Sequence, residues 1–339
     1  MKRLLSLLSI PVLLCSCGGS PAPDPEAYFV ALENAGTKVS TYEVFSVESN
    51  NLAFDAGLEN QEGKTLRLTS TPISFRIASS GVGASTFDEA KVAFTMPNAT
   101  SSLNTVTASG TLLESDERLS ALAESASAEV SVNAYLTGGD FYLDLRPSPT
   151  LRAVVNNVLK ARGETVLRDR QRFEFEQETI DKIESYLPLT QYVSDAVKEL
   201  GKALRDSYAA SPSAFVFGEE KDGKRISLTA DGDIAKTIAM ALVKEEDKSK
   251  VEKVFTYAKN QSFSFVVTFG EEGLRSSSFQ VALSSFDKEA ITKDYPDLTF
   301  FPSGTLRLSG SFAFSSDPAK ATPSFPSALS SYPLYQKAS

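Results

Sequence analysis

Short runs in which apolar and polar residues alternate recur along most of this chain. A period of two turns one face of a segment toward a core and the other toward water, which is typical of antiparallel strands. The clearest runs are Leu66/Leu68, Ile73/Phe75/Ile77, Val92/Phe94/Met96, Val130/Val132/Ala134/Leu136, Phe263/Phe265/Val267/Phe269, Leu306/Leu308 and Phe312/Phe314. The pattern therefore predicts a large antiparallel sheet.

Tight turns join several of these runs to their neighbours. Gly138 and Gly139 stand between two runs, and a Gly-Gly pair tolerates the positive φ of a short hairpin. Lys221–Lys224 and Gly270–Gly273 are placed in the same way between later runs. Consecutive hairpins of this kind predict a meander.

Helical periodicity is concentrated in the middle of the chain. Apolar residues recur there at spacings of three and four, which is typical of amphipathic helices. The sets are Leu151/Val154/Val155/Val158/Leu159, Ile180/Ile183/Leu187, Val193/Val197/Leu200/Leu204, Ile234/Ile238/Leu242 (with Asp231 placed to cap it) and Val251/Val254/Phe255. Strands, then helices, then strands with an inserted helix predict an α+β fold, in which a large curved antiparallel β-sheet (a meander or half-barrel) packs against several helices.

The first sixteen residues have the order of a secretion signal. Lys2 and Arg3 precede an apolar run of about eleven residues, as in a cleaved leader. A membrane-spanning helix needs ~20 apolar residues, so this run is too short to stay as an anchor. Residues 1–16 are therefore predicted to be a signal peptide.

Leu14-Cys15-Ser16-Cys17 resembles the lipobox of bacterial lipoproteins, with Leu three residues before the cut and small residues before the modified cysteine. The resemblance implies that Cys17 is lipidated and holds the protein to a membrane outside the cytoplasm, either the outer or the cytoplasmic one. The alternative is an ordinary cleaved signal with a coincidental cysteine. Residues 17–26 are rich in Gly and Pro and predict a flexible tether. Residues 27–316 are predicted to form a single α+β domain, and residues 317–339 a Pro/Ser-rich C-terminal tail.

The composition excludes many kinds of active site. The chain has no histidine and only two cysteines, one inside the signal and one at the lipidation position. A Ser-His-Asp or Cys-His nucleophile and a His-ligated metal are therefore impossible. The formal net charge of −9 becomes two units more negative once Lys2 and Arg3 are removed, which argues against nucleic acid as a partner. We expect no enzymatic activity, no cofactor and no metal site.

Five short motifs could carry chemistry, and each has a simpler structural explanation. Gly57–Thr65 and Gly218–Lys224 imitate a phosphate loop, but the first has one residue too many and the second lacks the magnesium-binding hydroxyl. Both are interpreted as hairpin turns. Ser285 and Lys288 match Ser-x-x-Lys but lack the companion motifs of that enzyme class, and Asp231/Asp233 lack the rest of a calcium loop. Asp140 and Asp144 could share a strand face as a carboxylate pair, although no other candidate residue is near them in sequence.

Three segments, Val130–Leu145, Ile226–Leu242 and Phe263–Leu283, together resemble lipoproteins of the LolA/LppX type. In that family a strand, a Gly turn and a Tyr-x-Asp strand, here Tyr142-Leu143-Asp144, lead into helices and further hairpins. The resemblance covers about residues 100–316. It implies a half-barrel closed on its concave side by helices, with an apolar cavity that holds acyl chains.

Two main functional hypotheses follow. The first is a membrane-anchored protein that binds a lipid or other apolar ligand between a Phe-rich sheet and amphipathic helices. The alternative is an envelope structural or protein-interaction lipoprotein without a small ligand, in which the same Phe residues fill a solid core. A carboxylate-dependent hydrolase is a third hypothesis. The ligand, the protein partner and the ligand-binding residues stay undefined at this level.

Overall fold

A computed structural model describes residues 23–96, 104–113, 127–221, 223–242 and 245–336. The predicted signal peptide (1–16), Cys17 and the tether up to residue 22 lie outside the described residues. Asp24 is the N-cap of the first helix and accepts a hydrogen bond from the Glu26 N–H at 3.1 Å, and Pro25 begins the helix. The predicted tether (17–26) therefore overlaps the start of this helix.

Fourteen strands in the described residues form one antiparallel sheet. The strands are β1 (Val44–Asn60), β2 (Thr65–Ser70), β3 (Ile73–Ser80), β4 (Val92–Thr95), β5 (Thr105–Ser109), β6 (Ser127–Glu129), β7 (Asn133–Thr137), β8 (Asp140–Asp144), β9 (Arg170–Phe173), β10 (Phe215–Glu220), β11 (Gly223–Asp231), β12 (Ala258–Gly270), β13 (Gly273–Phe286) and β14 (Phe300–Ser315). The main path runs β10-β11-β12-β13-β14-β1-β3-β4-β7-β8-β9, so the sheet is open, with β10 and β9 at its edges.

Eight α-helices in the described residues accompany the sheet. They are α1 (Pro25–Val39), α2 (Pro149–Ala161), α3 (Gln177–Glu184), α4 (Leu189–Ala210), α5 (Asp233–Leu242), α6 (Glu245–Tyr257), α7 (Lys288–Asp294) and α8 (Pro318–Ala321). The α+β fold predicted from the sequence, a large antiparallel sheet packed against several helices, is confirmed. None of the helices in the described ranges is both long and apolar enough to cross a membrane.

Strand β1 connects the two halves of the sheet. Its first part pairs with β3 and its last part with β2, while β14 runs along its other side. Ser49 is opposite Phe75 of β3 and Phe312 of β14 in this register. Because directly paired residues of antiparallel strands project to the same face, these three residues lie on one side of the sheet. We call this side, which also carries Phe45 and Val47, the inner face.

Helices α1 and α4 pack as a pair over one end of the inner face. Their apolar residues Phe29, Leu32 and Leu204 are fully buried in the largest core cluster, together with Ile226 of β11. The helices approach so closely that a Cβ on Gly36 would lie 2.7 Å from Cγ1 of Val197, closer than two carbon atoms can pack. This contact positions α4 over the sheet.

The C-terminal segment packs on the opposite face, which we call the outer face. Tyr332 and Leu329 are buried against Tyr135 and Tyr142, whose side chains project from β7 and β8. The backbone also joins β9, since the Arg172 N–H donates to the Pro333 carbonyl at 2.9 Å and the Tyr335 N–H donates to the Arg172 carbonyl at 2.8 Å. Residues 318–335 therefore belong to the folded body.

Candidate functional site: an apolar cavity under helix α4

An apolar cavity of about 500 Å³ lies between the inner face and the helices α4, α5 and α6. Helix α4 contributes Val193 and Leu200 to its roof. The floor consists of alternate residues of β12, β13 and β14, because a period of two brings every second side chain to the same face. Six phenylalanines line the cavity: Phe255, Phe263, Phe265, Phe279, Phe312 and Phe314.

Some of the Phe side chains on this face are not closed into the core. Phe263, Phe279 and Phe312 are only partly buried, although they project beneath a layer of helices. Phe279 stacks on Phe312 with ring centroids 5.9 Å apart and an interplanar angle of 12°. The rings pack against one another along the floor and leave the space above them open.

Polar groups are scarce in this cavity. Only Gln261, Ser262 and Ser277 among its lining residues are polar, and none of the described lining residues is titratable in the physiological range. The Gln261 amide donates to the Ala258 carbonyl at 2.7 Å and to the Phe255 carbonyl, so it closes the junction between α6 and β12. The lining therefore offers an almost entirely apolar environment.

A polar pocket of about 650 Å³ adjoins the cavity and shares Gln261 and Ser262 with it. Asp231, Asp233 and Lys259 line this pocket. The Lys259 Nζ lies 3.3 Å from the Asp287 carboxylate. Asp231, Ser262 and Ala282 of this pocket are directly paired across β11, β12 and β13 and project to the outer face, whereas Phe263 and Val281 of the cavity project to the inner face. The sheet therefore separates most of this polar pocket from the apolar cavity.

A second apolar cavity of about 300 Å³ lies on the other half of the inner face. Ile77, Phe94 and Phe141 of the sheet form its floor, and Ile183 of α3 and Leu189 at the start of α4 form its roof. Sequence reasoning did not predict this cavity. The amphipathic spacing of Ile180, Ile183 and Leu187 predicted the helix, but periodicity does not indicate whether a helix closes fully onto a sheet.

The motifs considered in the sequence are distributed over structural elements. Gly57–Thr65 and Gly218–Lys224 belong to the β1–β2 and β10–β11 hairpins, as interpreted. Ser285 accepts a hydrogen bond from Asn260 Nδ2 at 2.9 Å, whereas the Lys288 Nζ lies 2.6 Å from Glu59 Oε1. The two residues of the Ser-x-x-Lys motif thus have different partners.

The sequence predicts that the Asp231–Asp233 segment caps the following helix. Asp231 is instead the last residue of β11, and α5 begins at Asp233 after Gly232, whose φ of 58° makes the turn. Within the part of the chain that the structure describes, no group of three or more potential metal ligands is found.

Asp140 and Asp144 project to the outer face but have separate partners. Asp140 accepts from the Tyr142 hydroxyl at 3.0 Å, and Asp144 is bound by Arg146, with Nε–Oδ1 at 2.9 Å, and by the Tyr332 hydroxyl at 3.2 Å. Burial acts to raise the pKa of Asp144, but the hydrogen bonds and charge of Arg146 outweigh it and hold the pKa below its usual value. Burial and then the Asp144 charge raise the pKa of Tyr332 to about 12. The hydrogen bond from Tyr332 ties the C-terminal segment to Asp144, whereas the hydroxyl that donates to Asp140 belongs to the same strand.

Comparison with known proteins provides little guidance. No family model matches the chain, and no curated protein matches its sequence. A crystal structure of a DUF1329 family protein from Desulfovibrio piger is similar over 86% of this chain and 92% of its own, at 11% sequence identity and a TM-score of 0.20. A likeness at that score assigns neither fold nor function to this chain.

Proposed function

We propose that this protein is a membrane-anchored lipoprotein outside the cytoplasm that binds a lipid or other apolar ligand in the cavity under α4. The observation that carries the proposal is this cavity of about 500 Å³, lined almost entirely by apolar side chains and six Phe rings. Each methylene buried in such a space contributes about 0.8 kcal/mol, so an acyl chain is the ligand that would gain most from it.

The lipid-binding part of the proposal is tested with full-length Cys17→Ala protein, which has no site for the anchor. The protein is purified from a lipid-rich lysate and extracted with organic solvent, and the lipid is measured per mole of protein. We expect near-stoichiometric lipid in this protein and a clear reduction when Ser277→Leu, which narrows the cavity, is added. Ser278→Leu, on the other face of the same strand, is the matched control. An extract without lipid would refute the proposal.

The anchor is tested separately by labelling cells with a fatty-acid analogue. We expect the wild-type protein to carry the label and to sediment with membranes, because acyl chains on Cys17 would insert into the bilayer. The Cys17→Ala protein should carry no label. Label that persists after this substitution would show that Cys17 is not the modified residue.

A protein-interaction role is the second candidate, and one feature favours it. β10 is an edge strand of the sheet, and its Val216 is 58% exposed. An exposed apolar edge strand can pair with a strand of another protein. A lipid-free extract, combined with a specific partner that crosslinks to β10, would favour this role.

A further inference from the structure

We propose that the cavity under α4 and the second cavity together hold one lipid with two acyl chains, one chain in each. This inference rests on the proposed function, since it takes lipid binding in the first cavity as its starting point. It adds the number of chains and the place where they join.

The two cavities are neighbours on the same face of the sheet. Phe314 lines the first and Ile77 lines the second, and both are paired with Val47 of β1, one from each side. Adjacent strands are about 4.8 Å apart, so two spacings place the cavity walls about 10 Å apart. Two chains of a single lipid could diverge by this distance.

The surface between the cavities is closed at one end. Phe45 is 0% exposed and Ser79, its partner on β3, is 1% exposed, so the strip formed by β1 and β3 is covered there. A single chain therefore cannot run from one cavity to the other along this strip. Each cavity accepts its own chain.

The surface between the cavities is open and aromatic at the other end. Phe312, which lines the first cavity, lies 6.3 Å from the ring of Phe75, and Phe75 stacks at 5.6 Å on Phe94, which lines the second cavity. All three rings are partly exposed. They form a continuous apolar surface over which two chains could converge before entering separate cavities.

The test uses the absence of tryptophan from the chain, which makes any introduced Trp a unique reporter. Phe279→Trp reports on the first cavity and Phe94→Trp on the second. Phe300→Trp, which packs against the separate cluster around Leu66 and lines neither cavity, is the matched control. Phe263→Trp and Phe141→Trp serve as second reporters if a first variant does not fold as judged by circular dichroism. Each change is made in full-length Cys17→Ala protein.

The probes are a diacyl phosphatidylcholine with bromine on both chains and the corresponding single-chain lysophosphatidylcholine. Bromine quenches a Trp that it contacts. We expect one equivalent of the diacyl lipid to remove most of the emission from both cavity reporters and none from the control. We expect the single-chain lipid to need two equivalents for the same loss.

Two results would overturn the inference while lipid binding itself stands. In the first, saturating diacyl lipid quenches Phe279→Trp and leaves Phe94→Trp unchanged. In the second, one equivalent of the single-chain lipid fully quenches both reporters, because one chain would then occupy both cavities. If neither reporter responds to either lipid, the proposed function fails together with this inference.

Discussion

Filling the cavity under α4 should stabilise the lipid-free protein, and the sign of this effect distinguishes a hollow face from a solid one. Ser277 projects from β13 into the cavity, opposite Val267 on β12 and Phe312 on β14. Burying a leucine side chain contributes about 1.5–3 kcal/mol, and ordering it costs about 0.5–1 kcal/mol. We therefore expect Ser277→Leu to raise the free energy of unfolding by about 1–2 kcal/mol.

A tightly packed core would give the opposite result. Forcing extra methylenes into a filled interior costs about 1–3 kcal/mol. Urea denaturation of lipid-free protein measures the difference, provided that the slope of unfolding free energy against urea stays constant. Ser278→Leu places the same residue on the outer face and should change stability by no more than about 0.5 kcal/mol. Destabilisation by Ser277→Leu at unchanged slope would refute the description of a hollow, ligand-ready face.

The same substitution should weaken lipid binding. The added side chain takes the space of about three methylenes, which at about 0.8 kcal/mol each amounts to about 2.4 kcal/mol, or roughly fiftyfold in affinity. Titration of the Phe94→Trp or Phe279→Trp reporter in the Ser277→Leu background measures the change. A variant that is more stable and binds lipid less well would show that the open volume serves the ligand.

Three further predictions concern the packing around the site. Tyr332→Phe removes a buried hydrogen bond to the Asp144 carboxylate and should lower the free energy of unfolding by about 1.5–3 kcal/mol. Tyr335→Phe removes a hydrogen bond to a neutral carbonyl and should lower it by only about 0.5–1.5 kcal/mol. Equal losses in urea denaturation would contradict the charge-based reasoning. The pKa of Asp144 in the folded protein is held below its unfolded value of about 3.9, so the ionised Asp144 stabilises the fold above that pH. This stabilisation is lost as the pH falls through the folded-state pKa. The free energy of unfolding should therefore fall less steeply from pH 6 to pH 2 for Asp144→Asn than for wild type. Gly57→Ala places a Cβ 2.4 Å from the Ser303 carbonyl oxygen in the β1–β14 ladder and should destabilise the protein by several kcal/mol. Gly63→Ala is the control, because a Cβ there meets no atom within 4 Å but the residue has a φ of 80°. Thermal unfolding of the two variants separates the steric clash from a purely backbone effect.

Local pattern accounts well for the strands and for most of the helices. Phe263, Phe265, Val267 and Phe269 alternate because one face of β12 is covered, and the stripe Val193/Val197/Leu200/Leu204 is the side of α4 that faces the sheet and α1. The turn at Gly138 and Gly139 has a positive φ at both residues, as the hairpin requires. These features depend on neighbours a few residues away, and the sequence alone predicts them.

The start of helix α1 is a boundary that the local sequence pattern does not predict. The Gly/Pro-rich segment before it suggested a tether up to residue 26, and the helical spacing of Tyr28, Phe29, Leu32 and Val39 was not recognised beyond it. All four residues are buried, against partners that include α4 and the strands of the inner face. The boundary depends on the Asp24 cap and on contacts with residues more than 150 positions away.

By itself the sequence determined that this chain builds a Phe-rich antiparallel sheet with helices and has no histidine-based chemistry, because side-chain alternation and composition are local properties. Only the tertiary structure decided that β1 pairs with β14, more than 240 residues away, and that the Phe residues of this face surround open space. Whether such a face is solid or hollow depends on how closely α4 approaches the sheet. Helix α4 is held by its close packing against α1 at Gly36 and Val197, a contact between distant parts of the chain that no pattern along a single strand encodes.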